Sequence, residues 1–318
     1  MINNLDRCLG CYLPISKVSY HPNCAKTLFG TTNAPLLETT AKEISRLAQD
    51  FINRRLTVTG VQKKLSLTIE GKDLKRFTVV GTLDGGYIMK PPTDEYPEMP
   101  AIEDLSMHLA TACNIKTASH GLVMMKDGSL AYLTKRFDRK KKKKIAVEDL
   151  CQLSRLLTEQ KYKSSHEKVA KIIKHYSSNP GDDLLRFFEL VLFSFVIGNN
   201  DMHLKNFSMI TDDPHHITLS PAYDLLAVRL LLRERDDPAE LALALNGKRR
   251  KFSRMDFISF ASNIGINPKV TLMVLDRQIN AEQAMRDLID YSFLSDSLRE
   301  SFKAVITKNI EKLKKQSR

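Results

Sequence analysis

The chain has 318 residues, 49 Lys and Arg against 37 Asp and Glu, a net charge of +12, and is 42% hydrophobic and 27% charged. That length suits one large two-lobed domain or two ordinary ones, with the composition of a globular protein. No run of about 18 apolar residues occurs, and the densest stretch, 184–197, is interrupted by Arg186 and Glu189, so no transmembrane helix and no membrane partner are expected.

The N-terminus has no apolar signal core, and the five cysteines form an odd, sparse set. Both features point to reduced thiols and a cytoplasmic location. The excess of positive charge fits nucleic acid, nucleotide phosphates or an acidic partner, or else a simple solubility bias.

In chain order, residues 1–30 read as a small Cys/His-rich module. Cys8-x-x-Cys11 followed by His21-x-x-Cys24 has zinc-ligand types at near-ligand spacing, the other reading being three reduced surface cysteines. Residues 31–35 are linker-like. Residues 38–54 have helical spacing through Ile44, Leu47, Ala48 and Phe51. Alternation over 64–69, the turn Glu70-Gly71-Lys72-Asp73, and the segments 77–80 and 87–90 predict strands, the last closed by Pro91-Pro92.

Residues 101–113 predict a helix with Ile102, Leu105, Leu109 and Ala112 on one face. Residues 123–133 predict a hairpin around Lys126-Asp127-Gly128, and a basic run follows from Lys135 to Lys144. Beyond residue 146 strand signals nearly vanish. The segments 148–157, 167–175, 182–197, 225–235, 254–264, 269–291 and 297–314 all read as helical. The expected fold is α+β, with a small module at 1–30, a mixed, strand-rich lobe at 31–138 and a helical lobe at 139–318.

The chemistry concentrates in Gly198-Asn199-Asn200-Asp201-Met202-His203-Leu204-Lys205-Asn206, where an apolar helix runs directly into a polar cluster. Asp201 and Asn206 have the D-x-x-x-x-N spacing of a kinase catalytic loop, in which the carboxylate orients the attacking hydroxyl and the amide oxygen reaches a phosphate-bound Mg²⁺. Asp224, in Tyr223-Asp224-Leu225, is placed to supply a second, anionic Mg²⁺ ligand. Taken alone, the spacing is also that of an ordinary polar loop after a core helix.

Lys90 closes a strand after Gly85-Gly86, where a kinase sheet carries its phosphate-pairing lysine, and Glu103 on the next helix is placed to orient it through an ion pair. Thr57-Val58-Thr59-Gly60-Val61-Gln62-Lys63-Lys64 offers backbone N–H groups and lysines to phosphates, although it holds one glycine only.

The ordered series G-V-Q-K-K-L-S-L, Y-I-M-K-P, L-T-K-R-F-D-R, I-G-N-N-D-M-H-L-K-N-F-S and S-P-A-Y-D-L resembles the HipA family of bacterial toxin kinases over roughly residues 55–300. The resemblance implies a two-lobed, protein-kinase-like fold and an ATP- and Mg²⁺-dependent Ser/Thr kinase of a toxin–antitoxin module. It makes Asp201 the catalytic base, Asn206 and Asp224 the Mg²⁺ ligands, Lys90 the ATP lysine and Thr59, Gly60, Val61, Gln62, Lys63 and Lys64 the phosphate loop. It also implies that His203, Lys205, Asn206 and Tyr223 line the nucleotide site. Lys135, Arg136 and Phe137 match the hinge that meets adenine through its backbone, with Lys135 where the family commonly has glutamate.

Members of the family inactivate themselves on a serine of the phosphate loop; here the matching position is Thr57, with Thr59 second. The loop begins at residue 57, far earlier than in full-length members. The chain therefore resembles the short form, HipT, whose partners are a small HipS-like antitoxin and a HipB-like DNA-binding protein. The family's substrates are aminoacyl-tRNA synthetases. The six cations Arg139–Lys144 are then a contact for tRNA or a synthetase–tRNA complex, or a solvated loop. Two other classes stay open: a kinase-fold binding component of an antitoxin–DNA repressor complex with little catalysis, and a small-molecule phosphotransferase.

Overall fold

The computed structural model describes residues 6–44, 46–47, 64–72, 74–80, 85–140, 143–213, 216–232 and 235–315. Thr57, Thr59, Gly60, Val61, Gln62 and Lys63 lie outside the described residues, and with them the expected phosphate loop. The chain forms two compact units. One comprises Met1–Leu105, Ala118–Phe137 and Tyr291–Leu294; the other comprises Ser106–Thr117, Asp138–Asp290 and Ser295–Arg318. Among the described residues no helix is long and apolar enough to cross a membrane.

The first unit is built on helix α1 (Pro22–Phe29), strands β1 (Leu65–Glu70), β2 (Arg76–Val79) and β3 (Tyr87–Lys90), the start of helix α2 (Met99–Ala112), and strands β4 (His120–Met124) and β5 (Leu130–Lys135). The strands form one antiparallel sheet in the order β2-β1-β3-β5-β4. Leu65, Leu67, Tyr87, Met89, Val123, Ala131 and Leu133 share one buried face.

The first thirty residues share that core and do not make one of their own: Leu9, Tyr20, Ala25, Leu28 and Phe29 are buried in it. The Leu122 amide donates to the Leu9 carbonyl at 3.0 Å, and the Tyr20 hydroxyl donates to the Leu122 carbonyl at 2.8 Å. Gly121 permits this approach, because a Cβ there would lie 2.3 Å from the Tyr20 hydroxyl. Residues 291–294 return to the same unit. The Arg7 guanidinium donates to the Tyr291 and Ser292 carbonyls, both at 2.9 Å, and lies over the Phe293 ring.

The second unit is helical apart from short strands. In chain order it holds β6 (Arg139–Lys140), β7 (Lys143–Lys144), β8 (Ala146–Asp149), α3 (Leu150–Leu153), α4 (His166–Tyr176), α5 (Pro180–Ile197), β9 (Ser208–Asp213), β10 (His216–Leu219), α6 (Arg254–Asn263), α7 (Pro268–Asn280), α8 (Glu282–Asp290) and α9 (Asp296–Lys314). Strands β10-β9-β8 make a three-stranded sheet, and β6 pairs with β7 inside the basic run.

Three segments expected to be helical differ. In the stretch 148–157, residues 148 and 149 end strand β8 and only Leu150–Leu153 is helical, with Asp149 capping this short α3 by accepting from the Gln152 amide at 2.8 Å. The stretch 269–291 is two helices that part at Ala281. In the apolar run 225–235 the described residues form one 3₁₀ turn, Val228–Leu230.

Helix α5 organises the unit. Pro180 sits in its first turn, where its missing N–H costs nothing, and Asp182 and Asp183 favour the positive end of the helix. Asp183 is buried and saturated: it pairs with Arg186 at 2.8 Å and accepts from the Ser177 hydroxyl at 2.6 Å and the Leu219 amide at 2.8 Å. Phe187, Phe188, Phe193 and Phe195 are fully buried, and from Leu190 to Ile197 every residue is buried, so the second half of the helix works as a central rod.

Candidate active site

In the helical unit the polar cluster begins where α5 stops. Gly198 adopts φ 72° and ends the helix, its amide donating to the Phe195 and Ser194 carbonyls. Only glycine fits: the conformation is left-handed, and a Cβ would fall 2.8 Å from Arg229 Cβ and 2.9 Å from Val305 Cγ1. The next two residues are buried anchors. The Asn199 side-chain oxygen accepts from the Asp201 amide at 3.2 Å, and the Asn200 side chain donates to Asp237 at 2.7 Å and to the Ala239 carbonyl at 3.1 Å. Arg229 donates to the carbonyls of Asp237 and Ala239, so the run 225–232 is held to this loop by polar bonds in place of a helix.

The loop from Asp201 to Asn206 closes on itself. The Asn206 side-chain nitrogen donates to the Asp201 carbonyl at 3.1 Å, and the amide of Asn206 donates to the carbonyl of His203 at 2.9 Å. Asp201 is half-buried, and one of its carboxylate oxygens accepts from the Tyr162 hydroxyl. Burial first, and then this bond to Asp201, raise the Tyr162 phenol well above its ordinary range, so it stays a donor.

The ring of His203 meets Tyr162 edge-on with centroids 5.1 Å apart. Burial lowers the His203 imidazole below its ordinary value, opposed by the charges of Asp201 and Asp224. Asp224 itself has φ 58°, a left-handed conformation that Asp tolerates and that is concentrated at functional sites. Its neighbour Tyr223 donates to the Lys205 carbonyl at 2.8 Å and is 2.6 Å from the Ser208 hydroxyl, while Lys205 pairs with Asp149 at 3.3 Å. Asp201, His203, Asn206, Tyr223 and Asp224 are thus brought together within this unit.

In the strand-rich unit Lys90 ends β3 with 7% of its surface exposed, and its Nζ lies 2.7 Å from Glu103 Oε1 on α2, which is 1% exposed. The Tyr132 ring, on the strand paired with β3, lies 5.7 Å from the same Nζ. Lys64 is exposed just before β1. In the segment 135–137 the amide of Lys135 donates to the Ser119 carbonyl at 2.7 Å and that of Arg136 to the Gly86 carbonyl at 2.9 Å. Neither N–H can meet an adenine ring without breaking that bond. Cys8, Cys11, His21 and Cys24 also converge, their ligand atoms all within 4.8 Å of one another.

Tyr162 escapes a reading of the sequence. It stands 39 residues before Asp201 with no motif around it. Asp237, which holds Asn200, and Arg229, which holds the Asp237 and Ala239 carbonyls, are equally silent.

The model of the HipA-like C-terminal domain matches residues 56–289. A Haemophilus influenzae protein named "Putative kinase" is 28% identical over 266 residues, covering 75% of this chain and 76% of that one. The Shewanella oneidensis serine/threonine-protein kinase toxin HipA is 27% identical over 212 residues, 60% of this chain but only 47% of its own length.

Among solved structures, Shewanella oneidensis HipA in complex with HipB and its operator DNA superposes with a TM-score of 0.71 at 22% identity, covering 87% of this chain and 73% of that one. The Helicobacter pylori proinflammatory kinase CtkA gives a TM-score of 0.56 at 17% identity, covering 78% and 93%. At those identities the two structures establish the fold, an α+β kinase-like architecture. With nearly three quarters of its residues matched in one continuous span, the chain belongs to the HipA-like C-terminal domain family.

Proposed function

We propose that the chain is an ATP- and Mg²⁺-dependent Ser/Thr protein kinase that serves as the toxin of a HipBST-like toxin–antitoxin system. The observation that carries this reading is the closed Asp201–Asn206 loop with the left-handed Asp224 beside it. The buried Lys90–Glu103 pair supports it from the other unit.

In this reading Asp201 orients the substrate hydroxyl and takes up its proton. The hydroxyl oxygen bonds to the γ-phosphorus of ATP, the bond from that phosphorus to the β,γ-bridging oxygen breaks, and ADP leaves. Tyr162 fixes the Asp201 carboxylate through its hydroxyl. Lys90, held by Glu103, pairs with ATP phosphates. Asn206 and Asp224 would hold Mg²⁺: the Asn206 nitrogen is engaged with the Asp201 carbonyl, so its oxygen would be the atom offered to the cation, and an all-oxygen donor set suits a hard ion. When bound, Mg²⁺ neutralises charge on the phosphates. His203, Lys205, Tyr223 and Lys64, with residues 59–63, complete the nucleotide-binding set in this proposal, and residues 135–137 contact the base.

The proposed substrate is an aminoacyl-tRNA synthetase, with or without tRNA at Arg139–Lys144. Thr57 or Thr59 is the proposed autophosphorylation position. The likeness to a HipA solved with HipB and DNA supports a HipB-like partner, and a HipS-like small antitoxin completes the proposed set. The same likeness keeps one other reading in play, a binding component of a repressor complex with little catalysis.

Phosphoproteomics of cells briefly expressing the chain, against Asp201→Gln, separates the two. A synthetase phosphosite seen with the wild type only is the expected result. Equal growth inhibition and identical phosphosites with Asp201→Gln would overturn the kinase reading.

A further inference from the structure

The match to the family begins at residue 56, so nothing in it accounts for the cysteines and histidine of the first thirty residues. We propose that Cys8, Cys11, His21 and Cys24 bind one Zn²⁺ as a closed, structural site that fastens the N-terminal segment onto the sheet of its unit.

The ligand atoms already cluster. All four lie within 4.8 Å of one another, and Cys11 Sγ is 3.3 Å from His21 Nδ1. A tetrahedral zinc with three sulfurs and one nitrogen spaces its ligands about 3.5–3.8 Å apart, so small side-chain adjustments complete the shell. The surroundings are those of a metal site as well. His21 Nε2 is 3.1 Å from the Pro14 carbonyl; a carbonyl can only accept, so the ring proton sits on Nε2 and the Nδ1 lone pair faces the sulfurs. The amides of Gly10 and His21 both donate to Cys8 Sγ at 3.4 Å.

The backbone is shaped to the same end. A Cβ on Gly10 would sit 2.4 Å from Tyr20 Cε1, and Tyr12 turns out of the Cys8–Cys11 knuckle at φ 64°. Helix α1 starts at Pro22, directly after His21, so Cys24 occupies its first turn. Binding releases one proton from each thiol, and three thiolates with one neutral imidazole leave no open position for substrate.

The knuckle reaches the Lys90 partner through its own unit. The Tyr12 hydroxyl donates to Asp104 Oδ2 at 2.7 Å, and Asp104 Oδ1 is 2.6 Å from His120 Nδ1. Asp104 follows Glu103 in sequence, so the metal braces the helical turn that presents the Lys90 partner.

The test uses the full-length chain, purified reduced and without chelator. One equivalent of zinc per chain is expected by elemental analysis. After stripping, titration with Co²⁺ should give the visible bands of a tetrahedral ion with thiolate charge transfer. Zinc removal should lower the melting temperature, and added Zn²⁺ should restore it. Cys24→Ser should weaken Co²⁺ binding by more than the roughly 10–100-fold typical of losing an outer-shell partner. His21→Cys should keep one equivalent where His21→Ala loses it. Should the variants fail to fold, the wild-type Co²⁺ titration decides. Less than a tenth of an equivalent of zinc together with no thiolate–Co²⁺ band, or a native mass showing a disulfide within this set, would overturn the site.

Discussion

The strand-rich and helical units hold their charged residues by different means. In the first, Lys90 is buried and held by an opposite charge that is itself buried, Glu103 at 2.7 Å. In the second, Asp201 stays half-exposed and is held by neutral groups: its own amide donates to Asn199, its carbonyl accepts from Asn206, and its carboxylate accepts from Tyr162. A buried ion pair couples position to stability, because removing one partner strands the other away from water. A half-exposed carboxylate on a hydrogen-bonded loop can lose its charge with little effect on folding. The comparison therefore predicts that mutations in the two units separate activity from stability in different ways.

The largest effect should fall on Asp201. Asp201→Asn keeps shape and loop bonds but removes the proton acceptor, and phosphotransfer should drop about 10²–10⁴-fold. Its melting temperature should stay within the small range of surface substitutions. A melt lowered as far as that of a core mutant would break the comparison, since the loop would then be structural.

Next comes the buried pair. Lys90→Met leaves Glu103 without its cation and should cost about 3–5 kcal/mol of stability, read from denaturant midpoints, along with activity. The double change Lys90→Met with Glu103→Leu should recover most of that stability while activity stays lost. Recovery of neither would mean that the pair matters for shape beyond its charges.

What the residues revealed beforehand follows the same division. The strand-rich character of the first half, helix α5 and the abrupt polar loop after it were legible, because each shows as a change in periodicity or polarity over several residues. The spacing of Lys90 on a strand and Glu103 on the next helix was legible for the same reason.

The sheet β8-β9-β10 was not. Its strand 146–149 is Ala-Val-Glu-Asp and alternates only between exposed and half-buried, so no apolar rhythm marks it. The run 225–232 is leucine-rich and reads as helix, yet Asp224 enters it left-handed and Arg229 holds it by carbonyls 8 and 10 residues ahead. Such long-range polar bonds leave no local trace, and Tyr162 was hidden for that reason. The cluster of three cysteines and one histidine was legible, but the shared core that seats them was not, since it depends on contacts with β4.

The helical unit also buries a titratable group with no charge partner, a milder counterpart to Lys90. His166 is 1% exposed, ringed by Phe187, Phe207 and Phe260, and neither ring nitrogen has a hydrogen-bond partner among the described residues. Burial pushes its pKa down to about 3 from 6.5. The folded state therefore refuses a proton that the unfolded state accepts. Stability is unaffected above pH 6.5 and falls as pH drops from 6.5 toward 3, by at most about 1.4 kcal/mol per pH unit. His166→Leu should remove that slope, so the variant gains on the wild type steadily below pH 6.5. Parallel acid-denaturation curves would show that the ring is not buried neutral.

The smallest effect belongs to Tyr162, and it sharpens the contrast between the two modes of holding a charge. Its side chain is 40% exposed, so water can replace its hydroxyl once it is gone. Tyr162→Phe keeps the edge-on contact with His203 and removes one donor to Asp201. A replaceable hydrogen bond contributes about 0.5–1.5 kcal/mol, which corresponds to roughly a 2–10-fold fall in rate. The loss should appear in kcat, with KM for ATP and the melting temperature unchanged, because the phenol positions the acceptor and does not bind nucleotide in the proposed mechanism. A rise in KM with kcat intact would reassign Tyr162 to substrate binding, and a lowered melt would make the loop depend on its side-chain donors as strongly as Lys90 depends on Glu103.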